Sequence, residues 1–325
     1  GLYPNEADLA REVRYNVGKP FRGAWTFYLL GLVFLLSSLP LNVRRLAWAG
    51  FALLAAGLAL HTWGLGLRVL ISGRAPVTNM YESVVFVAWG AVALALAFEA
   101  RHRVRFVAAA AAALAVGCLI LADSVPILDS SIEPLVPVLR DNTWLTLHVL
   151  TITLGYAGFL LATGLAHLNL AVYFLAPARA SLLKTLSHFL YRVLGVGTLL
   201  LAMGTLLGGV WASYSWGRFW GWDPKETWSL IALLGYVALI HGRFVGWVRD
   251  FGLAVGSIAG FLLVLMAWYG VNFILGTGLH SYGFGTGGYW YVVGFVLFEM
   301  LVVGVAWARH PTAPAAPAAA TVPAR

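Results

Sequence analysis

Apolar residues run along this chain in nine blocks separated by short polar breaks. They fall at about Trp25–Leu39, Leu46–Leu70, Val84–Phe98, Phe106–Leu121, Trp144–Leu175, Val193–Val210, Trp228–Phe244, Phe251–Phe273 and Tyr289–Trp307. Roughly 20 apolar residues cross a bilayer as a helix. The first block is short and either crosses with tilt or lies in the interface. The pattern therefore predicts an all-α polytopic membrane protein, a bundle of eight or nine transmembrane helices. Residues 1–22 form a polar segment in which DLAREVRY suits a short surface helix, residues 23–308 form the transmembrane domain, and residues 309–325 form a Pro/Ala-rich tail expected to be disordered.

Composition agrees with the pattern. Of 325 residues, 61% are hydrophobic and 10% charged, against about 25% charged in soluble domains. The net charge of +8 does not point to nucleic acid, because the arginines fall mainly between the apolar blocks, where they orient helices. Placing NVRR, EARHRVR, PARASLLK, GRFVGWVR and the C-terminus in the cytoplasm gives one consistent arrangement in a cytoplasmic membrane. The breaks at SGRAPVTNMYES (72–83), 122–143, 211–228 and the glycine-rich 275–288 then face outward, and with nine spans the N-terminus does too. The single cysteine, Cys118, excludes an internal disulfide and CxxC thiol exchange by this chain alone. The first residues carry no initiator Met and no signal-peptide pattern. No internal repeat suggests a transporter built from matched halves.

One break changes the picture. WASYSWGRFWGWDPKETW, Trp211 to Trp228, holds five tryptophans together with Tyr214, Phe219, Arg218, Asp223, Lys225 and Glu226. Asp223-Pro224-Lys225-Glu226 reads as a helix start, with Asp at the N-cap, Pro in the first helical position and Glu reaching back to the cap. Asn79 and Glu82 have the same spacing. Capping does not account for Trp216, Trp220 and Trp222. An interfacial aromatic belt accounts for one or two rings at a helix end, while a platform for a flat macrocycle accounts for all three.

Histidines suggest what such a platform would hold. His148 lies one turn inside the outward end of the fifth block and His280 in the outward glycine-rich loop, both level with the tryptophans. Imidazole is a usual axial ligand of haem iron, and Arg218 and Lys225 are then candidates for the propionates. The plainer reading makes each a self-satisfied polar side chain. His61 and His241 sit well inside spans, where ionisable groups are costly and usually functional, so they are candidates for a second, deeper pair or for interhelical hydrogen bonds. His167, about 28 Å below His148 by helical rise, is expected to bond a backbone carbonyl. His102, His188 and His310 fall in basic or terminal segments and read as solvated.

WGRFWGWDPKETWSL resembles the tryptophan-rich "WWD" signature of the haem-handling proteins of cytochrome c maturation. With the flanking histidines and SGRAPVTNMYES, the chain over about residues 60–290 resembles the CcsA (ResC) branch, system II. That resemblance implies a protein that moves haem b to the outer membrane face with a CcsB/ResB partner, and presents it for thioether attachment to the CxxCH of apocytochrome c. It implies His148 and His280 as outward haem ligands and His241 as a buried one, with His61 or a partner residue completing the deeper site. It also implies a share in a haem lyase complex in which the thiols come from the substrate and no catalytic residue acts beyond haem positioning. Two readings of other classes stand beside it: delivery of haem to a chaperone, as in system I, and a b-type electron-transfer protein. A transporter of some other solute is the plainest alternative.

Overall fold

The computed structural model describes residues 6–124, 128–133, 141–280 and 288–310. The expected disorder of the tail at 311–325, and residues 281–287 of the glycine-rich loop, lie outside them. Every regular element among the described residues is helical. Nine of the helical stretches are long and apolar enough to cross a membrane.

A polar helix α1 (Glu6–Gly18) runs into α2 (Pro20–Leu41) through Lys19, whose left-handed backbone (φ 38°) breaks the helix just before Pro20. The first apolar block thus gains five residues at its start and reaches 22 in all, enough to span. Eight spans gives way to nine. α3 (Arg44–Ser72), α4 (Met80–His102) and α5 (Phe106–Ser124) follow. The run Ala108–Ala112 with Ala115 is buried, and α5 packs against both α2 and α4. Small side chains allow that approach where lipid gives no hydrophobic drive to pack helices.

The next span, Asn142–Leu175, begins as a single turn α6 (Asn142–Trp144), widens into a π segment π1 (Leu145–Val149) and continues as α7 (Leu150–Leu175). α7 is the axis of the bundle and touches α4, α5, α8 (Ala180–Trp216) and α10 (Asp250–Leu265). It lies against α8 through glycine. A Cβ at Gly158 would come 3.1 Å from Gly197 Cα, and one at Gly155 3.1 Å from Leu201 N. α9 (Pro224–Phe244) packs on α8 and α10. α10 continues into a second π segment π2 (Met266–Leu275), and α11 (Tyr289–Arg309) lies at the edge against α10.

Chain alternation brings the 72–80, 124–142, 216–224 and 275–289 connections to one end of the bundle, the end that carries the tryptophans. One buried charge cluster fastens that end. Arg68 is 0% exposed and donates to Glu82 Oε1 (2.8 Å), the Tyr15 hydroxyl and the Ser130 carbonyl. Glu82 Oε2 accepts from Thr78, and Asn79 caps α4 through the Glu82 N–H. Removing one partner of a buried pair strands the other. Arg68→Leu is expected to cost about 3–5 kcal/mol, read as a lower unfolding midpoint in detergent.

Candidate functional site at the tryptophan-bearing end

Beneath the tryptophan-bearing loop, between α4, π1–α7, α8, α9 and π2, lies a cavity with about 1190 Å³ of space, part of it open to the outside. Its wall includes His148, His280, Trp216, Trp220 and Lys225. These are five of the ten residues expected from sequence, drawn from three separate stretches of chain.

His148 sits in π1, where the wider winding replaces α-helical spacing. Such π segments recur at functional sites. Its Nδ1 lies 2.7 Å from the Gly204 carbonyl of α8. Its ring lies against Gly208, where any Cβ would collide with Cε1, and its far edge meets Trp211, centroid to centroid 5.7 Å. Gly208 thus makes room for the imidazole, while Gly204, four residues earlier on the same face of α8, lets the backbone at Ile152 of α7 approach.

His280 is held from the signature itself. Asp223 caps α9 by accepting from the Lys225 N–H (3.0 Å), and Glu226 completes the box from the other side. The same Asp223 carboxylate accepts the Leu279 N–H (2.5 Å) and faces His280 Nδ1 at 3.0 Å. Burial alone would raise this carboxyl. The hydrogen bonds from His280, Lys225 N–H and Leu279 N–H outweigh it and hold the carboxyl below the ordinary aspartate value. A carboxylate on one imidazole nitrogen fixes tautomer and ring orientation, the usual support of a metal-binding histidine. Among the described residues Nε2 has no hydrogen bond in either His148 or His280. The Trp216 ring meets His280 edge to face at 4.7 Å. Gly278 permits the approach: its φ is +93°, and a Cβ there would collide with Asp223 Oδ2 and Pro224. Gly278→Ala is therefore expected to push the His280 segment off Asp223, costing about 1–3 kcal/mol of local strain, measured as a lowered unfolding midpoint.

Lys225 reaches the cavity and also donates to the Trp268 carbonyl at 3.4 Å. Glu226 Oε2 accepts from Gly221 N–H and Asp223 N–H, and Oε1 pairs with Arg218 at 3.0 Å. Arg218 also covers the Trp216 ring, 5.8 Å from its centroid. It stiffens the loop and does not line the cavity, contrary to the expectation that it meets a ligand. Trp222 departs from expectation as well. Its backbone is left-handed (φ 58°), and its ring is 68% exposed, touching Trp220 edge to face.

The deeper pair does not form within this chain. His61 is fully buried in α3, with Nδ1 3.1 Å from the Tyr28 hydroxyl and Phe21 across its ring face. α3 packs on α1, α2 and α4, whereas α9 packs on α8, α10 and π2. His241 is exposed near the far end of α9, its Nδ1 on the Val237 carbonyl. By helical rise His61 lies about 16 Å from the tryptophan-bearing end and His241 about 25 Å, so the two differ in both neighbours and depth. His167 does contact a carbonyl, that of Thr163, but its Nε2 also faces the buried Glu299 of α11 at 3.0 Å.

Sequence reasoning passed over Trp268, Tyr156 and Ser83, which also line the cavity; Trp268 Nε1 donates to Ser83 Oγ at 3.0 Å. Tyr156 and Trp268 stand in apolar blocks, where an aromatic is indistinguishable from ordinary helix packing, and Ser83 closes the 72–83 break, where a lone serine carries no signal.

Fold and cavity together define a class: a polytopic helical membrane protein whose aromatic loop roofs an imidazole-lined chamber at one end of the bundle. Residues 77–280 match the family described as Cytochrome C assembly protein. The chain is 39% identical over 297 residues to protein NrfI of Wolinella succinogenes, covering 87% of this chain and 32% of that one. It is 34% identical over 293 residues to the cytochrome c biogenesis protein CcsA of Synechococcus elongatus, covering 74% of this chain and 89% of that one. It thus spans about a third of NrfI and most of CcsA. Among solved structures the cytochrome c heme lyase CcmF shares the fold, with TM-score 0.62 at 19% identity over 95% of this chain and 53% of that one. The chain belongs to the cytochrome c assembly protein family.

Proposed function

We propose that the cavity receives haem b as cargo, at the outer face of a cytoplasmic membrane, and presents it for thioether attachment to the CxxCH segment of apocytochrome c. One observation carries this reading: His148 and His280 share a cavity with Trp216, Trp220 and Lys225. The donor set fits an iron that arrives inside a macrocycle. Among the described residues no group of three or more His, Cys, Asp or Glu is placed to cage a bare ion. Two imidazoles with Nδ1 committed elsewhere offer two Nε2 atoms, and a porphyrin supplies the remaining donors.

The chain's own residues bind and orient. His148 is fixed by the Gly204 carbonyl and His280 by Asp223. Indole faces accept an apolar macrocycle, and Lys225 meets a propionate as a charge-assisted partner. The reaction itself is haem's chemistry: each substrate thiol adds its sulfur and its hydrogen across a vinyl double bond, with no net oxidation. Cys118 is the chain's single cysteine, and it lies in α5, away from this wall, so the thiols are the substrate's. Positioning is then the protein's contribution. The histidine of CxxCH takes over from one of the two axial imidazoles; His280, carried on a loop, is the one built to yield.

His241, exposed on α9, is available to a second chain, and we assign the partner role to a CcsB/ResB-like subunit. The visible spectrum and pyridine haemochrome of protein purified from haem-replete cells test the cargo. Protein that is colourless and cannot be reconstituted would sink the proposal. Co-purification of a ResB-like subunit, and loss of cytochrome c maturation without it, test the partner and separate this reading from delivery to a chaperone.

A further inference from the structure

The end of the bundle opposite the tryptophans carries a second cleft that the haem reading leaves unused. It has about 1020 Å³ of open space and is lined by Lys184, Ser187, His188 and Tyr191 of α8, Arg243 and Phe244 at the end of α9, and Arg249 and Asp250 at the start of α10. The α8 residues recur at helical spacing and so face the cleft together.

Its charge is unbalanced. Three cations face one carboxylate, and that carboxylate is already engaged: Asp250 pairs with Arg243 at 2.6 Å. Lys184 and Arg249 form no ion pair among the described residues. Two helix N-termini open at the same end, those of α8 and α10, and neither is capped by a side chain. Uncapped N-termini leave backbone N–H groups without partners and put the positive ends of two dipoles there. Beside the cleft stand Phe244, 80% exposed, and Trp247, 86% exposed. Exposed rings of this kind in a membrane-spanning chain mark the depth of lipid headgroups. From Pro224 to Phe244 the rise is about 30 Å, the thickness of the hydrocarbon core, which puts the cleft at the far interface.

We propose that this cleft binds the phosphate headgroup of an anionic phospholipid, with Lys184 and Arg249 as the principal cations and Phe244 and Trp247 beside the glycerol and upper acyl chains. Basic pockets between transmembrane helices are the sites that hold such headgroups. A neutral zwitterionic lipid offers the same chains without the net charge, and a free anion offers the charge without the chains.

The test titrates the full chain in detergent with dioleoyl phosphatidylglycerol, dioleoyl phosphatidylcholine or inorganic phosphate, reading retained adducts by native mass spectrometry. At about 1 kcal/mol per cation near the surface, Lys184→Ala with Arg249→Ala should weaken phosphatidylglycerol binding roughly 25-fold. The charge-keeping pair Lys184→Arg with Arg249→Lys should retain it, and guards against a folding defect in the alanine pair. Equal binding of the two lipids, no loss in the alanine pair, loss in the charge-keeping pair, or inorganic phosphate competing as well as the lipid would each overturn the proposal. Haem content serves as an independent readout and is expected to be unchanged, so failure here leaves the cargo reading standing.

Discussion

On the proposed function, His280→Ala, and separately His148→Ala, are expected to abolish haem binding in the cavity beneath the tryptophan-bearing loop. Losing only a supporting group beside a metal ligand costs about 10–100-fold in affinity, so losing the ligand itself should exceed ~100-fold. The two losses should differ in kind. His148 is built into a helix, wedged against Gly204, Gly208 and Trp211, and Ala there leaves a hole that no neighbour fills. His280 hangs on a loop anchored by Asp223, so its replacement opens a site on the approachable side. Added imidazole should therefore restore haem more readily to His280→Ala than to His148→Ala. Pyridine haemochrome content and the visible spectrum, each with and without imidazole, measure this. Wild-type haem content in either variant would remove the outer cavity as the haem site.

Asp223 carries the second large effect, because one carboxylate serves two tasks. It caps α9 and it holds the His280 segment. Asn caps a helix about as well as Asp, so Asp223→Asn keeps the helix start and removes the charge behind the imidazole. Haem affinity is expected to fall about 10–100-fold, and because the amide nitrogen cannot accept the Leu279 N–H that Oδ2 accepts, the His280 segment loosens while the α9 cap is kept. Asp223→Ala removes the cap as well and should cost a further ~1 kcal/mol of stability. If Asp223→Asn matches wild type in haem content while Asp223→Ala does not, the residue is a cap alone and the support of His280 lies elsewhere.

The elements that sequence reading placed correctly are those written in local pattern. Apolar blocks of span length, arginine-bearing breaks and the Asp223–Glu226 box all depend on residues within a few positions of each other, and the helices follow. Even the count hinged on local chemistry: Pro20 after Lys19 starts the first span earlier than hydropathy suggests. His148 drew notice as an ionisable residue one turn inside an apolar block, and His280 as a histidine in the glycine-rich break beside the last block. Arg218 and Trp222 were read together with Lys225 and Trp220 because composition cannot tell which way a loop side chain turns. The left-handed backbone at Trp222 and the pull of Glu226 on Arg218 decide that.

By itself the chain determined a membrane bundle of eight or nine helices, one aromatic loop between two spans, and which side chains were unusual enough to carry chemistry; hydrophobic burial and helix capping act over short stretches, so a linear text records them. Only the tertiary structure decided which of those side chains meet. It brought residues from 148, 216–225 and 280 to one chamber wall, gave Asp223 a partner 57 positions away, and kept His61 from His241. Those outcomes depend on how helices cross, on glycines that let α7 and α8 close up, and on two π segments that turn side chains away from regular spacing. Contacts between distant residues are set by packing in three dimensions, and no period along the chain encodes them.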